Sequence, residues 1–331
     1  MLKRTNVLAL VGRGKNQKFS SDKLIIWDAH RSKIFSELRF FSEILKVKIK
    51  IDRIIVTTID SKLYVLNMST LEILNIFQTY ENKKGLFGLS SDDKALVIAF
   101  PYKHSGYVKV KNYNCPLNVP AINAHDGNIS NIAINHEGTL LATSSEKGTL
   151  IRIFSTHNGE LIQELRRGAK TAEIYNICFD YNNKFIACAS SSNTIHIFSI
   201  YNSIKYLKEK GIITNTTNNI NSEIDINNNN NYANEEPKNQ KGFLGSIISV
   251  LKIGIAYFES EWSFAQFRIP KEEKENYVSF LQNNYNIIVL TKNGKLYITS
   301  FEPKLGGECK RVDGKNITKK NENIKIINNF N

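Results

Sequence analysis

No cysteine in this chain has a partner at metal or redox spacing. Cys115, Cys178, Cys188 and Cys309 form no C-x-x-C pair and have no histidine at zinc spacing, so neither a metal nor a disulfide framework is indicated. Cys178 and Cys188 sit in apolar, strand-like runs, where a buried thiol is the ordinary explanation. No stretch approaches the roughly 18 apolar residues that span a bilayer. The apolar run after the basic N-terminus stops near Gly12, too soon for a secretory h-region and cleavage site. The chemistry-bearing motifs are missing too: there is no G-x-S-x-G, P-loop or H-E-x-x-H, and Gly12-Arg13-Gly14 lacks the third glycine and helix of a dinucleotide site. These absences predict a cytoplasmic protein that is not an enzyme, needs no cofactor and holds no metal.

Acidic residues are scarce, 31 against 44 basic ones, for a net charge of +13. Such a balance favours polyanionic partners, either nucleic acid or an anionic membrane surface. Asn, Lys and Ile are overrepresented as under an AT-rich coding bias, so the charge alone does not choose between these partners.

The strongest positive signal is a repeat. Ile129 to Ile134, Leu140 to Ser144 and Leu150 to Phe154 recur as Ile174 to Phe179, Phe185 to Ala189 and Thr194 to Phe198, at an offset of 44 to 45 residues. A weaker copy precedes them in Gly85 to Leu89, Lys94 to Val97 and Tyr107 to Val110. Short β-branched strands with polar turns at this period predict four-stranded propeller blades. Further strands are expected at Val7 to Val11, Lys23 to Trp27, Leu45 to Ile51, Arg53 to Ile59, Lys62 to Asn67 and Ile73 to Phe77. Later ones are expected at Phe264 to Arg268, Tyr277 to Leu281, Ile287 to Thr291 and Lys295 to Thr299. No sustained helical periodicity is present. The chain therefore reads as one all-β domain over 1–331, with about five and a half to six blades at the usual blade length.

One insertion, about 202–261, interrupts the pattern. Its first part, about Tyr201 to Gln240, is dominated by Asn and is expected to be a disordered loop. Its second part, 242–258, is amphipathic on a helical wheel. Leu244, Ile247, Ile248, Leu251, Ile255 and Phe258 share one face, and Gly245, Ser246, Ser249 and Lys252 the other. Such a segment can lie in a membrane interface. The same run also reads as a further core strand.

Among the histidines, His30, His104, His136 and His157 have turn-like contexts, and His125, in Ala124-His125-Asp126-Gly127, reads first as a structural loop histidine. More informative is Leu165-Arg166-Arg167-Gly168. Successive side chains of extended backbone point to opposite sides, so adjacent arginines can enter two different pockets. Each guanidinium can clamp a phosphate with paired, charge-assisted hydrogen bonds. Glycine permits close approach of a headgroup. On those four residues alone, a solvated basic turn is the plainer reading.

The run resembles the F-R-R-G motif of the PROPPIN family, small WD-repeat-like β-propellers that bind polyphosphoinositides. Leu141 to Phe154, Ser190 to Phe198, Trp262 to Arg268 and Gly306-Gly307-Glu308-Cys309 resemble the family pattern as well. The resemblance implies a seven-bladed propeller with two rim sites, one on each side of the double arginine. Carried over by position, the first would use Thr143, Ser145, Thr149, Arg152 and Arg166. The second would use Arg167, Gly168, Ser190 or Ser191, Thr194 and His196. It also implies that the insertion is the family's membrane-contacting loop, that Leu165 replaces Phe as a packing change, and that about the first one and a half blades are missing from this chain, either because the start lies upstream or because the propeller is shortened with exposed edges. The expected ligands are phosphatidylinositol 3-phosphate and, as a second lipid, phosphatidylinositol 3,5-bisphosphate. The expected partner is a lipid-transfer or scaffold protein of autophagy, on a preautophagosomal, endosomal or vacuolar membrane, with no nucleic acid. The alternative is a WD-repeat-like scaffold that binds only proteins or RNA.

Overall fold

The computed structural model describes residues 5–13, 19–114, 119–213, 237–240, 260–273, 275–282 and 285–316. The strands form six sheets in chain order. The first contains β1 (Val7–Leu10), β2 (Lys23–Asp28) and β3 (Lys33–Arg39). The second contains β4 (Ile44–Ile49), β5 (Arg53–Thr58), β6 (Lys62–Asn67) and β7 (Ile73–Gln78). The third contains β8 (Gly88–Leu89), β9 (Val97–Pro101), β10 (Tyr107–Asn112) and β11 (Ile122–Asn123). The fourth contains β12 (Ile129–Ile134), β13 (Leu140–Ser145), β14 (Leu150–Ser155) and β15 (Leu161–Arg166).

In the fifth sheet, β16 (Ile174–Phe179), β17 (Phe185–Ser190) and β18 (Thr194–Ser199) are followed by helix α1 (Tyr201–Glu209). The chain then adds the two-residue β19 (Glu261–Trp262) parallel to β15 before supplying the outer strand β20 (Ala265–Arg268). The sixth sheet has β21 (Asn276–Phe280), β22 (Asn286–Thr291) and β23 (Lys295–Ser300). After β24 (Gly307–Glu308) pairs in parallel with β20, β25 (Lys310–Asn316) closes the sixth sheet.

The sheets are meanders packed face to face in series, as in a propeller: the second to fifth pack on a neighbour through both faces, the first and sixth through one. Five apolar clusters result among the described residues, one between each consecutive pair of sheets. Alternation along the strands divides the work. Leu140, Ala142, Ile151 and Ile153 of the fourth sheet face the fifth, while Leu141 and Phe154 face the third. Inner strands are bracketed by side chains as well. Asn131 Nδ2 donates to the Ile174 carbonyl at 2.7 Å, and one repeat later Asn176 Nδ2 donates to the Val278 carbonyl at 2.8 Å. Both asparagines follow a register shift at the start of their strand.

Two expectations change. The segment starting at Tyr201, expected to be disordered, begins with a helix whose Ser203 and Leu207 are fully buried. Ile200 with Ile204, and Ser203 with Leu207, form two i,i+4 rows that lie on the outside of the fourth and fifth sheets. The outer strands β3 and β25 were not expected either, because a strand half exposed to solvent lacks a clean apolar pattern: Ile34, Phe35 and Val312 are exposed. Residues 214–236 of the Asn-rich stretch and the amphipathic 242–258, with Leu244, Ile247, Ile248, Leu251, Ile255 and Phe258, lie outside the described residues.

The repeat carries one informative difference. The turn after β12 is tied by Asn135, whose Oδ1 accepts the Leu140 N–H at 2.9 Å. After β16 the same place holds Asp180, accepting from Phe185 N–H at 2.8 Å. Burial pushes the Asp180 carboxyl up to about 6 from 3.8. A carboxyl raised in the folded state binds protons that the unfolded chain has released, so stability falls as pH rises from about 4 to about 6. Asp180→Asn keeps the acceptor and removes the charge. It should stabilise the protein at pH 7 by roughly 1–2 kcal/mol and have little effect at pH 4, as read by urea unfolding at the two pH values.

Candidate functional site

The fourth sheet's outer strand sets the site. Along β15, Leu165 is fully buried in the cluster shared with the fifth sheet. Glu164 and Arg166, on the other face, share it with Arg152, which lies opposite Glu164 in register. Arg166 is therefore the diagonal neighbour of Arg152, about 7–8 Å away between backbones. As β15 ends, the N–H groups of Arg167 and Gly168 both point at the Thr149 carbonyl. The Arg167 side chain turns to the fifth-sheet side, beside Cys188 and His196. The adjacent arginines thus occupy the two grooves flanking the fourth sheet.

The first groove collects Thr143 and Arg152, which are register partners, with Ser145 two residues along the same strand. Thr143 Oγ1 lies 3.0 Å from His125 Nε2. Arg152 is already engaged: its Nε donates to Glu164 Oε2 at 2.8 Å and its Nη1 to the Ala124 carbonyl at 2.8 Å. Arg166 Nε donates to Ser260 Oγ at 2.7 Å. Thr149 is tied to the motif through its carbonyl.

In the second groove, Ser190, Thr194 and His196 alternate with residues of the opposite cluster and face the fourth sheet. Ser190 Oγ is 2.8 Å from Ser192 Oγ. Ser191 is exposed and its Oγ accepts the Glu173 N–H at 3.1 Å, which places Ser190 rather than Ser191 in the groove. Arg167 is buried; its Nε donates to the Gly148 carbonyl at 2.8 Å and its Nη2 to the Lys170 carbonyl. Both partners are neutral, and among the described residues no carboxylate pairs with it. A buried cation met only by carbonyls is a natural receptor for an anion. Gly148, at φ +59°, allows this arrangement, since a Cβ there would fall 1.8 Å from the Ala172 carbonyl oxygen. Around Gly168, by contrast, a Cβ would meet open space.

Three residues escaped the sequence reading. Ser263 Oγ lies 3.3 Å from His196 Nδ1 and accepts from Gln266 Nε2 at 2.7 Å, and Ser260 meets Arg166. Ser263 and Gln266 come from just beyond the insertion, where the matching run Trp262 to Arg268 was the available signal, and Ser260 from its last residues, which carried none. Among the described residues, no group of three or more His, Cys, Asp or Glu could hold a metal ion, and no helix is long and apolar enough to cross a membrane.

A family profile described as PROPPIN matches residues 20–317. Among curated proteins, the chain is similar to "Autophagy-related protein 18e" of Arabidopsis thaliana, 29% identical over 95% of this chain and 75% of the relative. It is also similar to "SVP1-like protein 2" of Debaryomyces hansenii, 30% identical over 90% of this chain and 74% of that one. Among solved structures, Kluyveromyces lactis Hsv2 matches with a TM-score of 0.68 at 16% identity, covering 96% of this chain and 85% of that one. A complex of KlAtg21 with the coiled-coil of AgAtg16 matches with a TM-score of 0.70 at 21% identity, covering 96% and 83%. At these identities the solved structures speak for the propeller fold.

The grooves also fix two protonation states. Burial, then the nearby arginine, pushes His125 and His196 down to about 4 from 6.5. Each is neutral in the folded protein, and its contribution to stability is present above pH 6.5 and lost as pH falls toward 4. Imidazole NMR signals of both should keep their neutral positions down to pH 5; a midpoint near 6.5 for either would contradict its burial.

Proposed function

The chain belongs to the PROPPIN family, and on that premise we propose that it is a non-catalytic membrane adaptor that reads phosphatidylinositol 3-phosphate at two rim sites flanking Arg166 and Arg167. The observation that carries this reading is the double arginine itself: two guanidinium groups, adjacent in the chain, sit in neighbouring grooves, each lined by hydroxyls and an imidazole. Arg167 in particular has neutral partners, so a phosphomonoester would supply its missing counter-charge. The hydroxyls of Thr143 and Ser145 on one side, and of Ser190 and Thr194 with His196 on the other, offer donors and acceptors to inositol and phosphate oxygens. A second phosphate on the ring, as in the 3,5-bisphosphate, would suit the same chemistry.

Two shallow sites on one rigid body bind a membrane by avidity, because the first headgroup raises the effective concentration of the second. The amphipathic run with Leu244, Ile247, Ile248, Leu251, Ile255 and Phe258 would add apolar contact with the bilayer. The place of a fourth strand after β18 is filled by β20, which supports a surface role for that run over a core-strand one. Relatives named for autophagy support work on autophagic or endolysosomal membranes, and the neighbour solved in complex with the coiled-coil of AgAtg16 supports a protein partner as well.

Replacing Arg166 and Arg167 together by Thr should abolish flotation with vesicles containing phosphatidylinositol 3-phosphate. Hydrogen bonds to charged groups are worth about 1.5–3 kcal/mol each, so two lost clamps remove roughly two to four powers of ten in affinity. Thermal unfolding of the same protein controls for the buried positions of both arginines, and undiminished flotation of a folded variant would sink the lipid reading. The sites should also separate. Arg152→Ala weakens the first and His196→Ala the second, each leaving partial binding in a vesicle titration.

A further inference from the structure

Between α1 and β19, residues 237–240 are placed against the sheets. There Asn239 pairs with the end of β18 as a strand would: its Oδ1 accepts the Ser199 N–H at 2.6 Å and its Nδ2 donates to the Ser199 carbonyl at 2.7 Å. One residue later, the Gln240 carbonyl accepts the Trp262 N–H at 2.8 Å in an antiparallel bridge. The Glu261 carboxylate gathers the surrounding segments. It accepts from Asn239 Nδ2 at 2.6 Å, from Gln163 Nε2 of β15 at 2.8 Å and from Asn202 Nδ2 of α1 at 2.9 Å.

One carboxylate therefore holds the start of the insertion, its midpoint, its end and the neighbouring sheet, through three charge-assisted bonds. The position of this knot relative to the arginines is fixed as well. Trp262 lies in register with Arg166 across the β15–β19 pair, and Ser260 accepts from Arg166 Nε.

We propose that Asn239 and Glu261 are positioning residues that pin residues 237–240 and 260–262 to β18 and β15, so that the chain on either side of residues 241–259 is held beside Arg166. Residues 214–236 and 241–259 lie outside the described residues; the clamp fixes only the described residues that flank them. This rests on the lipid reading of Arg166 in one respect only: a root held there lets headgroup capture and bilayer contact occur together, at the effective concentration of a short tether. The tether is then counted from Asn239 rather than from α1, so the length of the Asn-rich stretch does not enter it.

The test combines Asn239→Ala with Glu261→Ala and, separately, a deletion of Asn215 to Asn231, each alone and both together. Hydrogen exchange at the Trp262 amide reads the clamp without lipid, and flotation with phosphatidylcholine vesicles doped with phosphatidylinositol 3-phosphate reads its consequence. In the intact protein the deletion should change neither. The double substitution should speed Trp262 exchange by about tenfold or more, lower flotation, and make flotation sensitive to the deletion, because the whole insertion then acts as one long tether. Binding of soluble inositol 1,3-bisphosphate should persist. Glu261→Gln, which keeps the shape and removes the charge, should give an intermediate result and serves if the double substitution misfolds. Unchanged Trp262 exchange in the substituted proteins, or a deletion that disturbs Trp262 or flotation in the otherwise intact protein, overturns the clamp. If the intact protein fails to float while Trp262 behaves as stated, the lipid reading falls and the clamp stands.

Discussion

Everything at the rim depends on the register of β15. Leu165 is buried between the fourth and fifth sheets, and its neighbours in the chain follow from that one placement. A strand has a side-chain period of two, so a slip by one residue would move Leu165 into a polar groove and drive a guanidinium into the apolar cluster. The cost of burying an unpaired charge makes that slip unfavourable by several kcal/mol. The leucine and the arginines therefore specify each other. With the register set, Glu164 meets Arg152, Arg166 meets Ser260, and Arg167 is turned to the other side by the Thr149 carbonyl.

The two grooves are unequal in their electrostatics. In the first, Arg152 has Glu164 as a counter-ion, so its charge is partly spent within the protein. In the second, Arg167 faces carbonyls, and its field helps to keep His196 neutral. The positive charge of the first groove is thus carried by Arg166 beside an internal ion pair, and that of the second by Arg167 among carbonyls. On the proposed lipid reading, two sites of different character would give orientation as well as attachment, since a body held at two points cannot swivel on the surface that holds it.

Much of this was legible in the sequence. The repeats of the fourth and fifth sheets stood out because their inner and middle strands are buried on both faces and read as dense β-branched runs. β3 and β25 did not, since outer strands are half solvated and their composition follows solvent rather than the core. Helix α1 was hidden by the Asn-rich residues after it. Its two i,i+4 rows, Ile200 with Ile204 and Ser203 with Leu207, are short, and one of the four residues is a serine whose burial depends on Gln163. Arg166 and Arg167 stood out as a local motif, and Ser190 and His196 were carried over by position from the family resemblance. Ser260 and Ser263 were not, because they reach the site from 94 residues beyond Arg166 and 67 beyond His196 and neither belongs to the repeat.

The asparagine brackets between inner strands bear on how the molecule folds. Asn131 completes its hydrogen bond only when Ile174 is in place, and Asn176 only when Val278 is. The fifth sheet likewise lacks its outer strand until β20 has returned from beyond the insertion. In this half of the molecule the fourth and fifth sheets are completed only with groups supplied from later in the chain, contacts of long sequence separation that slow folding. In a linear repeat array, terminal units can melt while the rest persists. Here the fourth sheet borrows a bond from the fifth and the fifth from the sixth, which couples these three sheets beyond their apolar contacts.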